Sequence, residues 1–418
     1  MKIFRNTQKV ATIALVSLMI FACSSEDDVD ETLDPTDPIE ELVEPIILDC
    51  GIFSEAEVHL TDDPNAPVDY IMNCDPEVNG NLTIDPGVVI AFKSDAGMRI
   101  GKSGNGKVQM KGTAEKPIVL TGVNKSKGSW RGIQISSDNT ANVMEYVTVE
   151  YAGQTGRGGW ALQGSVIGTV GGTMKMDHCT IQHGNLIGLH WVGGSLNAGD
   201  LTLSNSTLTG NDTPVVTNIN HVSSIDGSNS YTGNTNDYIE LKNGGGAYRD
   251  VTFHKTDVPF FTNGFGPDNE EKRRFTFKPG VTMLMEAGSL IRFQNAFHYN
   301  HEIIMVGTED EPITIKGKED VAGYWTGIKI DYTTNPLNEM AFVDIANAGV
   351  TTGNPNGAVH IASSDVYLNM HDVNFIDCFE YAVSIERPTA INFTYNNLNL
   401  INTPKLFSDW SGSELVNP

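Results

Sequence analysis

Leu82-Thr83-Ile84-Asp85-Pro86-Gly87-Val88 returns later in the chain as Phe275-Thr276-Phe277-Lys278-Pro279-Gly280-Val281. Each copy alternates apolar, polar and apolar side chains, the period of a strand with one face in a core. Pro-Gly then sets a tight turn, with the glycine free to take a positive φ, and a valine restarts the apolar pattern. Three more stretches repeat in the same order. Gly112-Thr-Ala-Glu-Lys-Pro-Ile118 is answered by Gly307-Thr-Glu-Asp-Glu-Pro-Ile313. Gly128-Ser-Trp-Arg-Gly-Ile-Gln-Ile135 is answered by Gly323-Tyr-Trp-Thr-Gly-Ile-Lys-Ile330. Met144-Glu-Tyr-Val-Thr-Val-Glu-Tyr-Ala-Gly153 is answered by Met340-Ala-Phe-Val-Asp-Ile-Ala-Asn-Ala-Gly349. The offset stays close to 195 residues, as from Gly112 to Gly307, so the chain is a large duplication.

Inside each half, short apolar or alternating runs such as Val88 to Phe92, Val108 to Met110 and Ile118 to Leu120 lie between Gly, Asn and Asp turns. No stretch after residue 46 sustains helical spacing. Close-set short strands without helical crossovers leave a sandwich, a propeller or a β-solenoid. The inner unit of roughly 20 to 25 residues is the length of one solenoid coil. A single coil cannot bury its apolar side alone, so neighbours stack on a continuous core.

The Leu-Thr-Ile-x-Pro-Gly-Val phrase, the Gly-Thr-x-x-x-Pro-Ile phrase and the Trp-x-Gly-Ile phrase together resemble bacterial surface proteins with right-handed parallel β-helix repeats, of the broad pectate-lyase-like fold. The resemblance runs from about Cys50 to the C-terminus. It implies an all-β, right-handed parallel β-helix of two similar halves. It says little about function, because that fold carries lyases, glycoside hydrolases, adhesins and proteins without known activity. The expected organisation is a signal peptide over 1–22, an acidic disordered tether over 23–46 and a β-helix over 47–418. Within the last, a cap spans about 47–80, the first half 81–225 and the second half 226–418.

Lys2, Arg5 and Lys9 precede an apolar run from Val10 to Ala22, too short for a bilayer span of about 20 residues and suited to a signal-peptide core. Ile20-Phe21-Ala22-Cys23 resembles a bacterial lipobox, which implies cleavage before Cys23 and its acylation. Ser24-Ser25-Glu26-Asp27-Asp28 opens a tract without Lys or Arg to Pro45, unable to bury enough apolar surface to order itself. A Ser/Asp/Glu run after the lipidated cysteine resembles the surface-export signal of Bacteroidetes lipoproteins. The expected address is the outer membrane, lipid-anchored and facing outward, with a periplasm-facing spacer as the alternative.

The formal net charge is −25, which argues against nucleic acid and anionic membrane as partners; contact with the membrane is expected only through the lipid anchor. Of five cysteines, Cys50 and Cys74 flank the first structured segment and are expected to close a disulfide loop worth on the order of 3 kcal/mol. Cys179 and Cys378 stand alone in strand-like runs and read as buried thiols. No Cys/His spacing suggests zinc.

Polysaccharide lyases on this fold need a Lys or Arg base and often Ca²⁺, and hydrolases need paired carboxylates. Neither signature is found. Asp177, His178, His183, His190 and Trp191 form the nearest approach to a constellation, but His178 and His183 would face opposite sides of a continuous strand. Turn and surface histidines on separate coils are the favoured reading, and a catalytic His near Trp191 the sharper alternative. Trp130 and Trp325 occupy matching positions, either as sugar platforms or as core anchors, and their Gly and Ile neighbours favour the core. Arg131 has no counterpart in the second half, where Thr326 stands, and Trp160 sits in a loop-like Gly-Gly-Trp setting. The candidate ligand-binding set is therefore Trp130, Arg131, Trp160, His183, His190, Trp191 and Trp325. No cofactor is expected; Ca²⁺ stays open at the acidic turn Gly266–Glu271, which lacks a defined ligand spacing. The expected role is a non-catalytic surface protein that binds glycan or acts structurally. The alternatives are a polysaccharide lyase or hydrolase with an unfamiliar site, and an adhesin or envelope scaffold.

Overall fold

The computed structural model describes residues 43–101, 106–155, 163–169, 171–192, 199–242, 246–268, 271–293, 300–350, 357–363, 366–388, 392–409 and 411–416. Leu42–Pro418 is one compact unit, a parallel β-helix. In a first-half coil, Asn81–Ile84 lies on a first face, Val89–Phe92 on a second and Met98–Ile100 on a third. Each strand pairs in parallel with the strand one coil on. Asn81–Ile84 meets Lys107–Lys111, Val89–Phe92 meets Ile118–Gly122, and Met98–Ile100 meets Ile133–Ile135.

The repeated phrase forms this coil for the reasons its pattern gives. Leu82, Ile84 and Val88 are buried, as are Phe275, Phe277 and Val281, while the intervening threonines point outward. Gly87 and Gly280 turn the chain at φ 95° and 77°, a conformation that favours glycine. Gly112 and Gly307 serve a different need: a Cβ there would sit 2.5 Å from the carbonyl oxygen of Tyr146 or Phe342 on the next coil.

The duplication extends to buried polar groups. Asn142 accepts from Val108 N at 2.9 Å and donates to Thr173 O at 3.1 Å; Asn338 accepts from Ile303 N at 2.9 Å and donates to Tyr367 O at 3.0 Å. Each asparagine thus ties three coils together by pairing with main-chain groups of its two neighbours. Cys179 and Cys378 are buried at different corners, Cys179 between the first and second faces and Cys378 beyond the second. Their thiols donate to Met144 O and Ile345 O, and burial pushes them up to about 12 and about 11, which makes them inert at neutral pH.

The halves differ in how faces join. In the second half the first and second faces run as single bent strands, Glu339–Ala346, Tyr367–Ile376 and Asn392–Ile401. Each bends at one left-handed residue: Phe342, Asp372 and Asn397, with φ between 48° and 53°. The seam is Phe260–Phe265. It pairs with Ile239–Lys242 on one side and, through a register shift between Thr262 and Gly264, with both arms of Thr282–Phe293 on the other.

At the N-terminal end a disulfide joins Cys50 to Cys74, with Cα atoms 6.4 Å apart, beside the short 3₁₀ turn Cys50–Ser54. Replacing both cysteines by serine should lower stability by about 3 kcal/mol, through the freed loop in the unfolded chain. Urea denaturation under non-reducing conditions checks this, and an unchanged midpoint would show that the cap does not depend on the bridge.

Candidate ligand-binding groove

The candidate tryptophans are core residues. Trp130 and Trp325 have no exposed surface and Trp191 has 1%. Indole Nε1 of Trp130 donates to Glu150 O and that of Trp325 to Ala346 O, both at 2.8 Å. Trp130 also lies flat on Phe92, with ring centroids 4.0 Å apart. None of the three can serve as a sugar platform, because a face packed in the solenoid interior is closed to ligand. Trp160 lies outside the described residues, as does Cys23.

The histidines scatter. His178 and His183 are not in one straight strand: both have φ 52° and stand at two corners on either side of Thr180–Gln182. Both are exposed, and their rings are used locally, His178 against Tyr146 at 4.5 Å and His183 against Tyr151 at 5.6 Å. His190 alternates with Trp191 on the third face but is only 6% exposed, with Nδ1 within 3.1 Å of Gln163 O. Burial lowers its pKa. Arg131 is held by Asp95 at 3.3 Å and Asp75 at 3.8 Å. In the acidic turn, Arg273 takes up Asp268 and Glu271 at 3.3 and 2.8 Å, so a cation there would have to displace a guanidinium.

What the fold does assemble is a groove of about 440 Å³ on the second face of the second half. One wall is the repeated Gly-Thr-x-x-x-Pro loop, through Thr308, Glu309 and Pro312; the rest is Phe342, Asp344, Asp372, Asn374, Asn397 and Asn399. Coil stacking explains why these meet. Asp344, Asn374 and Asn399 are in register across three successive strands. Asn374 Nδ2 donates to Asp344 Oδ1 at 2.7 Å, and Asn399 Nδ2 to Asn374 Oδ1 at 3.1 Å. At the bend beside them, Phe342, Asp372 and Asn397 stack in the same way, and Asn397 Nδ2 donates to Asp372 Oδ1.

Behind the groove, His371 has Asp372 Oδ2 at 2.8 Å on Nδ1 and Glu339 Oε1 at 3.2 Å on Nε2. Two carboxylates on one ring favour the imidazolium, and the Asp372 bond first, then Glu339, raises the His371 pKa. Asp372 moves the other way, held below its ordinary value by Asn397 first and His371 second. The first half builds this column differently. There Tyr146 is followed by His178, and the two rings fill each other's faces.

The groove residues escaped the sequence reading, although a signal exists. Asp372-Val-Asn374 and Asn397-Leu-Asn399 are the same polar-apolar-polar phrase one coil of 25 residues apart, and Asp344 precedes Asn374 by 30. Only the coil length, read locally, brings them into one line.

The fold and this surface define a β-helix protein with a shallow polar groove. Residues 68–145 match the family described as "Pectate-lyase like beta helix domain". No curated protein and no solved structure matches the chain.

Proposed function

We propose that the chain is an outer-membrane lipoprotein, anchored through Cys23 and displayed on the cell surface, that binds glycan without cleaving it. The observation that carries the binding role is the groove: hydrogen-bonding carboxylates and amides in register beside a half-buried aromatic ring. Hydroxyl-rich ligands suit such a lining, which offers acceptors, donors and an apolar face together. Support for the address comes from the lipobox-like Ile20–Cys23 and the acidic run after it. Support for the absence of chemistry comes from Asp372 and from the described lining. A glycoside hydrolase needs one carboxylic acid raised enough to donate a proton, whereas Asp372 is lowered. No Lys, Arg or His is among the described lining residues to act as a lyase base.

A panel of insoluble polysaccharides incubated with the purified chain tests both binding and the lack of cleavage. Retention on at least one, with no reducing ends or unsaturated products released, is the expected result. Release of product would overturn the non-catalytic reading, and no retention on any member would overturn the binding role.

The lyase or hydrolase alternative keeps one specific observation. On the third face His360 is in register with Lys329, 6% exposed, and its Nδ1 has no partner. Burial, then Lys329, brings its pKa down to about 4, leaving the ring neutral at pH 7. Were product released, His360→Ala is the variant that should abolish it.

A further inference from the structure

We infer that the groove on the second face selects neutral glycans over acidic ones and holds the chain along the solenoid axis. This rests on the glycan-binding reading and names its ligand class. Three observations support it. The first is the sign of the lining: Glu309, Asp344 and Asp372 contribute carboxylates, and no described lining residue is basic. A uronate or sulfate would meet like charge with no cation to pair with, which costs binding and enforces selectivity. His371 is already bonded to Asp372 and Glu339.

The second is the polarity of the ladders. An ionised carboxylate only accepts hydrogen bonds. Asp344 Oδ1 is taken by Asn374 and Asp372 Oδ1 by Asn397, so whatever further capacity these groups have must be met by a donor. A neutral sugar supplies hydroxyl donors in quantity. The amides of Asn397 and Asn399 present both functions, matching hydroxyls that donate and accept.

The third is direction. The rows Asp344–Asn374–Asn399 and Asp372–Asn397 run across neighbouring strands, which places equivalent groups about 4.8 Å apart along the axis. A polymer lying along that axis meets the same chemistry at each rung; one lying across it meets the Thr308–Pro312 wall. Phe342 stands in the column of Asp372 and Asn397 and offers the apolar contact.

The experiment is isothermal titration of the purified chain with hexasaccharides of β-glucan, xylan and mannan and with oligogalacturonate of the same length, at 50 mM and 500 mM salt. At least one neutral hexasaccharide should bind with little salt dependence, and oligogalacturonate should not bind. Asn374→Ala and Asn399→Ala, both on the outer surface, should each weaken the neutral ligand at least tenfold, as should Phe342→Ala where circular dichroism shows it folded. Asp344→Asn with Asp372→Asn should narrow the gap between neutral and acidic ligands. Binding confined to oligogalacturonate would overturn the ligand class. Neutral binding unchanged in the Asn374 and Asn399 variants would overturn the groove while leaving glycan binding in place. Loss of all binding by the unaltered chain would overturn the glycan reading itself.

Discussion

Between pH 7.5 and pH 5 the folded chain is expected to lose roughly 6 kcal/mol of stability, from three buried histidines each worth on the order of 2 kcal/mol. His221, His301 and His360 are almost wholly enclosed, and burial, more than neighbouring charge, brings each down to about 4. The nearby charges act in both directions: Arg249 and Asp200 at His221, Arg273, Lys272 and Asp268 at His301, and Lys329 at His360. Nε2 of His221 and Nδ1 of His360 have no hydrogen-bond partner, so a proton added there gains no acceptor. The sign follows. Above the ordinary histidine value both states are neutral and the stability is fully present. As pH falls from 6.5 toward 4, the unfolded chain takes up protons that the folded chain refuses, and stability drains away. His371 and Asp331, both raised, work in the opposite direction and soften the slope. Urea midpoints at pH 7.5 and 5.0 measure the effect. His360→Asn should remove about a third of the difference, and equal midpoints for the unaltered chain would show that these rings are reached by solvent.

Trp130→Ala and Trp325→Ala should each cost about 3–5 kcal/mol, the usual range for deleting a large aromatic side chain from a core. The two losses should be similar, since both indoles are fully buried and both close on a main-chain carbonyl one coil on. Trp→Phe at either position keeps most of the apolar area but orphans that carbonyl, a smaller loss of about 1–3 kcal/mol. Folded Trp→Phe variants should bind glycan as the unaltered chain does. Weakened binding with unchanged stability would contradict the burial of these rings.

The fold was legible because its signals are short-range and repeated. Leu82-Thr-Ile and Phe275-Thr-Phe carry their alternation openly, Pro-Gly marks its own turn, and a duplication at near-constant offset needs no tertiary knowledge. The indoles were half legible: Gly and Ile beside Trp130 and Trp325 favoured the core, but only the stacked coils close over them. For the histidines the pattern favoured turn and surface positions without saying which turns. His178 and His183 stand exposed at left-handed corners, in conformations usually left to Gly or Asn, where their rings stack with Tyr146 and Tyr151. The groove was illegible for a different reason. Asp344, Asn374 and Asn399 look like scattered polar residues until coil length sets their register, and coil length varies from 30 to 25 between just these rungs.

The bridge between Cys50 and Cys74 has a mechanical meaning. Strands that wrap around an axis peel away in succession when tension is drawn along it, so a β-helix pulled from its N-terminal side should ravel coil by coil like knitting. The bond spans 24 residues and locks on the order of 80 Å of slack chain behind a covalent knot. While it is intact, tension that has peeled Ile46–Ile47 passes through the bridge to the chain beyond Cys74; once it is reduced, the ravel runs on through the strands between the two cysteines.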